Sequence, residues 1–366
     1  GALFGHFGDR VGRKATLVAS LLLMGGSTAL VAVLPTFASI GWWAPALLCL
    51  LRVGQGIGLG GEWSGAALLA VENAPPGWRG RFGSVPQQGA PMGFWMANGF
   101  FLILGAVLTP QQFRDWGWRV PFAASTALIA VGLWVRLRLA ETASFRAAMA
   151  EAPPPRVPMA ELLRHHGRAV VAGTLGVVIC FSLFYLATAF ALGWGTGHGA
   201  NGGGFGRQNF LGVQMAAIGA MAAGIALAGW LSDRAGPRPV LMGGCVLAVA
   251  SGALLGPMLG SGSLLLAFGF LGLALLAMGL VYGPLGAWLP GLFPARVRYT
   301  GSALAFNLGG VLGGALTPAL AQWLTGHGGI ATVGVYLAAT AAVSIAGVAL
   351  AGRPRAAAED PVAATS

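Results

Sequence analysis

From Pro239 to Ala295 the chain carries no Asp, Glu, Lys or Arg. The run is long enough for two helices hinged at Gly260-Ser261-Gly262-Ser263, and a soluble core rarely takes that form. The whole chain has the same character. Charged residues make up 8% of its 366 positions and hydrophobic residues 56%, whereas an ordinary soluble domain has roughly 25% charged residues. Mean hydropathy is +0.75. Many of its 61 glycines lie inside apolar runs, where membrane helices tolerate Gly better than soluble helices do. A net charge of +11 in a soluble protein would suggest nucleic acid, but here the charges fall between apolar segments. Membrane topology accounts for that excess, and no nucleic-acid partner is expected.

A bilayer-spanning helix needs about 20 mainly apolar residues. Ten stretches qualify, approximately 15–36, 44–71, 85–108, 119–138, 169–194, 210–232, 239–259, 263–290, 302–325 and 330–352. The expected fold is therefore an all-α polytopic membrane protein. If Gly1 is cytoplasmic, 17 of the 21 basic residues, Arg136 among them, fall in loops on that side. The positive-inside rule then places both ends, including the C-terminus, in the cytoplasm of a multi-pass bacterial inner-membrane protein. Residues 139–168 form the longest cytoplasmic connection, Pro-rich at Pro153-Pro154-Pro155 and amphipathic enough for a surface helix. They divide the chain into 1–138, the connection itself, 169–352 and a cytoplasmic tail, 353–366.

Cys49, Cys180 and Cys245 each sit alone in an apolar run, and the adjacent His165 and His166 lie in an Arg-rich loop, so neither a disulfide framework nor a metal site is expected. No secretory signal heads the chain, and Gly1 already lies inside a loop motif without an initiator Met, so residues upstream are expected.

That motif is Gly5-His6-Phe7-Gly8-Asp9-Arg10-Val11-Gly12-Arg13-Lys14, and it returns as Gly229-Trp230-Leu231-Ser232-Asp233-Arg234-Ala235-Gly236-Pro237-Arg238, with Asp233 displaced 224 residues from Asp9. The offset is far too long for a solenoid and suits a transporter of two homologous halves. Glycine lets the chain turn tightly. An Asp-Arg pair can hydrogen-bond a facing helix end and let go when the halves part. Gly5, Asp9, Arg10, Gly12, Arg13, Lys14, Asp233 and Arg234 are therefore candidate residues of a cytoplasmic gate.

The repeated motif resembles the loops between helices 2 and 3 and between helices 8 and 9 of the major facilitator superfamily. Within it, the chain is similar to the metabolite:proton symporter family. That narrower likeness is carried by Arg52-Val53-Gly54-Gln55-Gly56-Ile57-Gly58-Leu59-Gly60-Gly61-Glu62-Trp63, by Trp116-Gly117-Trp118-Arg119-Val120-Pro121-Phe122 and by Phe293-Pro294-Ala295-Arg296-Val297-Arg298-Tyr299-Thr300-Gly301. The resemblance implies a twelve-helix fold rocking about a midplane site, of which helix 1 and most of helix 2 are absent and the ten stretches are helices 3 to 12. Pro237 departs from the pattern, standing where the family usually has a basic residue.

Glu62 is the one acid deep within an apolar stretch. A charge at the bilayer centre costs about 2.5–3.5 kcal/mol on insertion scales, so it marks a functional site by default. Burial raises a carboxyl pKa and an approaching cation lowers it, so one side chain can load and release a proton. On a helix with Gly54 at 0°, Gly58, Gly61 and Gly65 fall within about 40° of it, a packing stripe, while Gln55 and Glu62 lie near 100° and 80° and Arg52 near 160°. Arg52 and Glu62 are about 15 Å apart along the axis, so each needs a partner from elsewhere. The glycine series is no dinucleotide fingerprint, because no βαβ unit surrounds it.

Glu62 and Arg52 are the candidate proton-coupling residues. Gln55, Trp63, Tyr185, Tyr282 and Asn307 are candidates for the substrate cavity, and the family's cavity-lining helices favour Tyr185 and Tyr282 over Asn307. No catalytic constellation competes, so no enzyme is expected. The leading expectation is proton-coupled symport of a small organic metabolite by a monomer, with the proton as the coupling ion and no other cofactor. The resemblance implies a carboxylate, betaine or amino acid as substrate. Two other readings stay open: a drug/proton antiporter, for which Gly89-Ala90-Pro91-Met92-Gly93 offers a faint signature, and a truncated membrane protein that does not transport.

Overall fold

In lipid every backbone N–H and C=O must be satisfied within the protein, so apolar stretches of this length can only become helices. The computed structural model describes residues 2–138, 158–197 and 202–352. A short helix, α1 (Ala2–Gly8), precedes ten helices long and apolar enough to cross a membrane. These are α2 (Arg13–Ala32), α3 (Trp43–Glu72), α4 (Arg79–Val107), α5 (Gly117–Leu137), α6 (Pro158–Thr196), α7 (Arg207–Ala235), α8 (Pro237–Leu259), α9 (Leu264–Trp288), α10 (Ala295–Gly328) and α11 (Ile330–Leu350). Each overlaps one of the ten expected stretches. The charge-free run breaks where its small residues predict, between Leu259 and Leu264, and the Ser263 hydroxyl accepts from the Leu266 N–H to start α9.

Most of the expected 139–168 connection, the tail 353–366, and the arginines Arg146, Arg156, Arg353 and Arg355 lie outside the described residues. From Pro158 onward the connection is already helix. The first turns of α6 bury Leu162 and kink at His166, whose φ of −128° and ψ of 19° leave the helical region.

The two copies of the loop motif take the same backbone turn. Gly12 (φ 116°, ψ 163°) precedes α2, and Gly236 (φ 85°, ψ 155°) precedes α8, both in a conformation that side chains disfavour. Pro237 fits the first helical position, where its missing N–H costs nothing.

Helix α2 packs on α3 and α5, while α6 to α11 form a second group dominated by α7, α8, α9 and α11. The two groups meet where α1 and α3 touch α10, and where the first turns of α4 touch α7 and α9. Backbones approach closely there. Gly83 of α4 lies against Gly286 of α9, and Gly80 against Gly229 and Ser232 of α7, with no room for a side chain at either position.

Two helices widen into π-segments, Leu186–Phe190 in α6 and Val311–Ala315 in α10. Such segments free carbonyls from the helical ladder. In α6 those of Ala187 and Thr188 accept from the buried Gln214 Nε2 of α7 at 2.9 and 2.8 Å. In α10 the Gly313 carbonyl accepts from the Ser182 hydroxyl at 3.0 Å. Gln214→Leu is expected to leave both α6 carbonyls unanswered in an apolar surrounding. It should destabilise the folded protein by about 1–2 kcal/mol, read as a lower midpoint of thermal unfolding in detergent.

Candidate functional site

Helix α3 can approach α2 closely because its glycine stripe faces that neighbour: Gly54 lies against Ser27, and Gly58 against Met24 and the Ser20 carbonyl. Beside the stripe, as the helical angles predict, stands Glu62. Its carboxylate accepts from the Ser20 hydroxyl of α2 at 3.0 Å and forms a two-pronged ion pair with Arg136 of α5, one prong of which measures 3.0 Å. Arg136 also donates to the Leu17 carbonyl at 2.7 Å. The two side chains are 19% and 16% exposed, enough burial to make each dependent on the other.

Arg136 corrects the sequence reading, which placed it in a loop. It occupies the last turn of α5 and turns into the bundle. The signal was its spacing from Arg138, since two residues on a helix differ by about 200° and cannot face the same way. Arg138 faces away, its guanidinium 4.1 Å from the Trp134 ring centroid.

Arg52 does not join this pair. It stands nine residues into α3, not at the span end, and donates to Gln55 Oε1 at 3.1 Å. Gln55 in turn donates to the Thr28 hydroxyl of α2 at 2.8 Å, which fixes the orientation of its amide. Glu62 and Arg52 are thus separate sites on one helix.

The cavity candidates divide as well. Trp63 is buried between the two groups of helices. Its indole N–H donates to Gln87 Oε1 of α4 at 2.9 Å, and its ring stacks on Phe306 of α10 at 3.8 Å and 4°. Tyr282 of α9 interacts with the same indole, and Phe181 of α6 meets Phe306 edge-on at 5.1 Å. Asn307 donates to the Gly60 carbonyl of α3 at 3.1 Å, so it bridges the groups. Tyr185 stands apart, 37% exposed, beside Phe184 at the start of the α6 π-segment. Gln87 and Phe306 were not legible as partners of Trp63, because nothing in a sequence pairs an amide on one helix with an indole on another.

Both motif aspartates reach a facing helix start. Asp9 accepts from the Tyr299 N–H (3.1 Å), the Thr300 N–H (2.8 Å) and the Thr300 hydroxyl (2.7 Å) in the first turn of α10. Asp233 accepts from the Gly80 and Arg81 N–H groups at 2.6 and 3.3 Å in the first turn of α4, and the Arg81 Nε lies 3.2 Å from it. Each carboxylate neutralises the positive end of a helix in the other group.

Behind Asp9, the fully buried Arg13 holds the Gly8 carbonyl at 2.9 Å and lies 3.4 Å from Asp9 and 3.6 Å from Glu72. Pro237, at the equivalent position, can supply no such cation. Arg81 does so from across the interface. Burial pushes the Asp9 carboxyl up from its ordinary value, although Arg13 and the donors of Thr300 and Tyr299 pull it down.

The other motif residues do less. Gly5 abuts Thr300 where a side chain would not fit. Lys14 donates to the Leu137 carbonyl at the end of α5 at 2.7 Å. Among the described residues, Arg10 bonds to its neighbour His6, and Arg234 stacks on Trp230 of its own helix at 3.8 Å, so neither spans the interface through these contacts.

Comparison with known proteins gives the family. The Major Facilitator Superfamily profile matches residues 1–316. The chain is 47% identical over 346 residues to the inner membrane metabolite transport protein YhjE of Escherichia coli (strain K12), covering 94% of this chain and 78% of the relative. It is 36% identical over 350 residues to the shikimate transporter of the same organism, covering 94% and 79%. Among solved structures it is similar to the proton:xylose symporter XylE bound to 6-bromo-6-deoxy-D-glucose, with a TM-score of 0.71, 17% identity, and coverage of 94% of this chain and 81% of that one. With relatives that are transporters and not enzymes, a profile match over most of its length and ten candidate membrane helices, this multi-pass membrane protein belongs to the major facilitator superfamily as a metabolite transporter.

Proposed function

We propose that this transporter is a proton-coupled symporter in which Glu62 carries the coupling proton and a small organic carboxylate, betaine or amino acid is the substrate. The observation that carries the reading is the Glu62–Arg136–Ser20 cluster, an ionisable group within a membrane helix whose charge is balanced by one movable guanidinium. A proton reaching Glu62 removes the charge that holds Arg136, and Arg136 keeps the Leu17 carbonyl as a second acceptor. The pair can therefore open without stranding the cation.

Shikimate and proline/betaine transporters among the relatives support the substrate class. Arg52, oriented by Gln55, supplies a cation for a substrate carboxylate, and Trp63, Tyr282 and Tyr185 supply apolar and hydrogen-bonding walls. The concentration of basic residues at the Asp9 and Asp233 end supports a cytoplasmic position for that end in the bacterial inner membrane. In this assignment the described conformation is closed to the cytoplasm, and transport alternates by parting the two latches. The protein works as a monomer.

Two measurements test this. In proteoliposomes offered labelled carboxylates, betaines and amino acids, uptake of the accepted substrate is expected to follow an imposed inward proton gradient. Glu62→Gln should abolish that dependence; undiminished gradient-driven uptake by the variant would sink the assignment. Asp9→Asn should weaken the first latch by about 1.5–3 kcal/mol, the value of hydrogen bonds to a charged group. Hydrogen exchange at the Tyr299 and Thr300 amides is then expected to accelerate by about one to two orders of magnitude, and unchanged protection would show that Asp9 does not hold the gate.

A further inference from the structure

Helix α10 holds α3 by two side-chain donors on consecutive carbonyls. The Tyr299 hydroxyl donates to the Gly61 carbonyl at 2.6 Å, and the Asn307 amide to the Gly60 carbonyl at 3.1 Å. Both carbonyls belong to the turn that presents the next residue, Glu62, to Arg136 and Ser20. The approach depends on glycine, because a side chain at Gly61 would meet Phe4, and one at Gly65 would meet the Tyr299 hydroxyl and Leu17.

The same tyrosine is part of the latch. Its backbone N–H is held by Asp9, its ring packs under Gly8, and the Arg13 guanidinium lies 5.9 Å from the ring centroid. Tyr299 is fully buried. One residue therefore touches both the gate and the turn bearing the ionisable group, and Asn307 repeats the second contact two helical turns away.

We propose that Tyr299 and Asn307 are positioning residues of the transport cycle, which fix the Glu62 turn of α3 while the two helix groups are closed at the latch end and release it when they part. The inference rests on the alternating-access reading above. It explains why a phenol and an amide in one group are spent on backbone carbonyls of the other. Loss of the latch frees the turn, and loosening of the turn removes two bonds that keep the latch shut.

The test uses native membrane vesicles with Cys49→Ser to remove the exposed thiol, Cys180 and Cys245 being buried, and Ser84→Cys as a reporter in the closed interface. Its rate of reaction with N-ethylmaleimide reads opening at the latch end, and hydrogen exchange of the peptide covering residues 60–68 reads the turn. Tyr299→Phe keeps the ring and the backbone bond to Asp9. Both rates are expected to rise about fivefold in it and in Asn307→Ala, as follows from losing one hydrogen bond in a two-state equilibrium, and Asn307→Gln should restore them. Tyr336→Phe, which deletes a phenol bonded to Thr317 inside the second group, is expected to change neither.

Labelling and exchange that stay within twofold of the parent in both variants would overturn the proposal, as would faster labelling with an unchanged α3 turn or an equal effect of Tyr336→Phe. Neither readout depends on whether Glu62 carries the coupling proton. A Glu62→Gln protein that keeps its coupling would therefore defeat the proton assignment and leave this result standing. Should Tyr299→Phe fail to accumulate, the Asn307 pair decides.

Discussion

A carboxylate and a guanidinium persist inside an apolar bundle only while each answers the other, and the mutual dependence of Glu62 and Arg136 sets the terms for everything around it. Removing either partner leaves a buried charge and is strongly unfavourable. Neutralising one by a proton is not, provided the other has somewhere to go. Arg136 does, through the Leu17 carbonyl and its position in the last turn of α5, where a long side chain can swing toward the headgroups. Under the proposed coupling the pair is poised to open, and the glycine stripe that brings α2 against α3 is what delivers Ser20 to it.

The interface between the two helix groups obeys a related economy. Each latch lays one carboxylate on the start of a helix in the opposite group, so the repeat in the sequence becomes a pair of crossed attachments. The copies differ in where the cation comes from. Arg13 backs Asp9 from its own side and ties it to Glu72, whereas Pro237 leaves Asp233 to the Arg81 of the partner group. The first latch is thereby wired into the helix that bears Glu62, since Glu72 ends α3. The described contacts of the second run across the gap, to Gly80 and Arg81.

The helices and the acidic site could be read from the sequence because both are properties of a single segment. Hydropathy marks the ten spans, and a lone acid in an apolar helix marks Glu62. The repeated Asp-Arg motif also announced its contacts, since both aspartates do reach facing helix ends. What could not be read was pairing between segments. Arg136 looked like an ordinary topogenic arginine, Tyr299 and Thr300 like part of a family signature, and Gln214 like one more polar residue. Their roles appear only when α5, α10 and α7 are placed against α3, α1 and α6. Arg10 and Arg234 show the limit of a motif from the other side: it names both as gate candidates, while the contacts described for them are local, to His6 and to Trp230.

A gate of the kind proposed must be tight when shut and still open without dismantling the cores on either side. The interface at the Asp9 and Asp233 end is compatible with that requirement by its choice of partners. Crossing contacts run mainly through backbone: carbonyls of Gly60 and Gly61, amides of Gly80, Tyr299 and Thr300, and the touching chains of Gly83 and Gly286. Side chains cross as well, in the Trp63–Phe306 stack and the Arg81–Asp233 pair, and stacked flat rings can slide apart without changing rotamer. Two well-packed groups joined by directional bonds of modest net strength can exchange between discrete arrangements, which is what bistable domain motion requires.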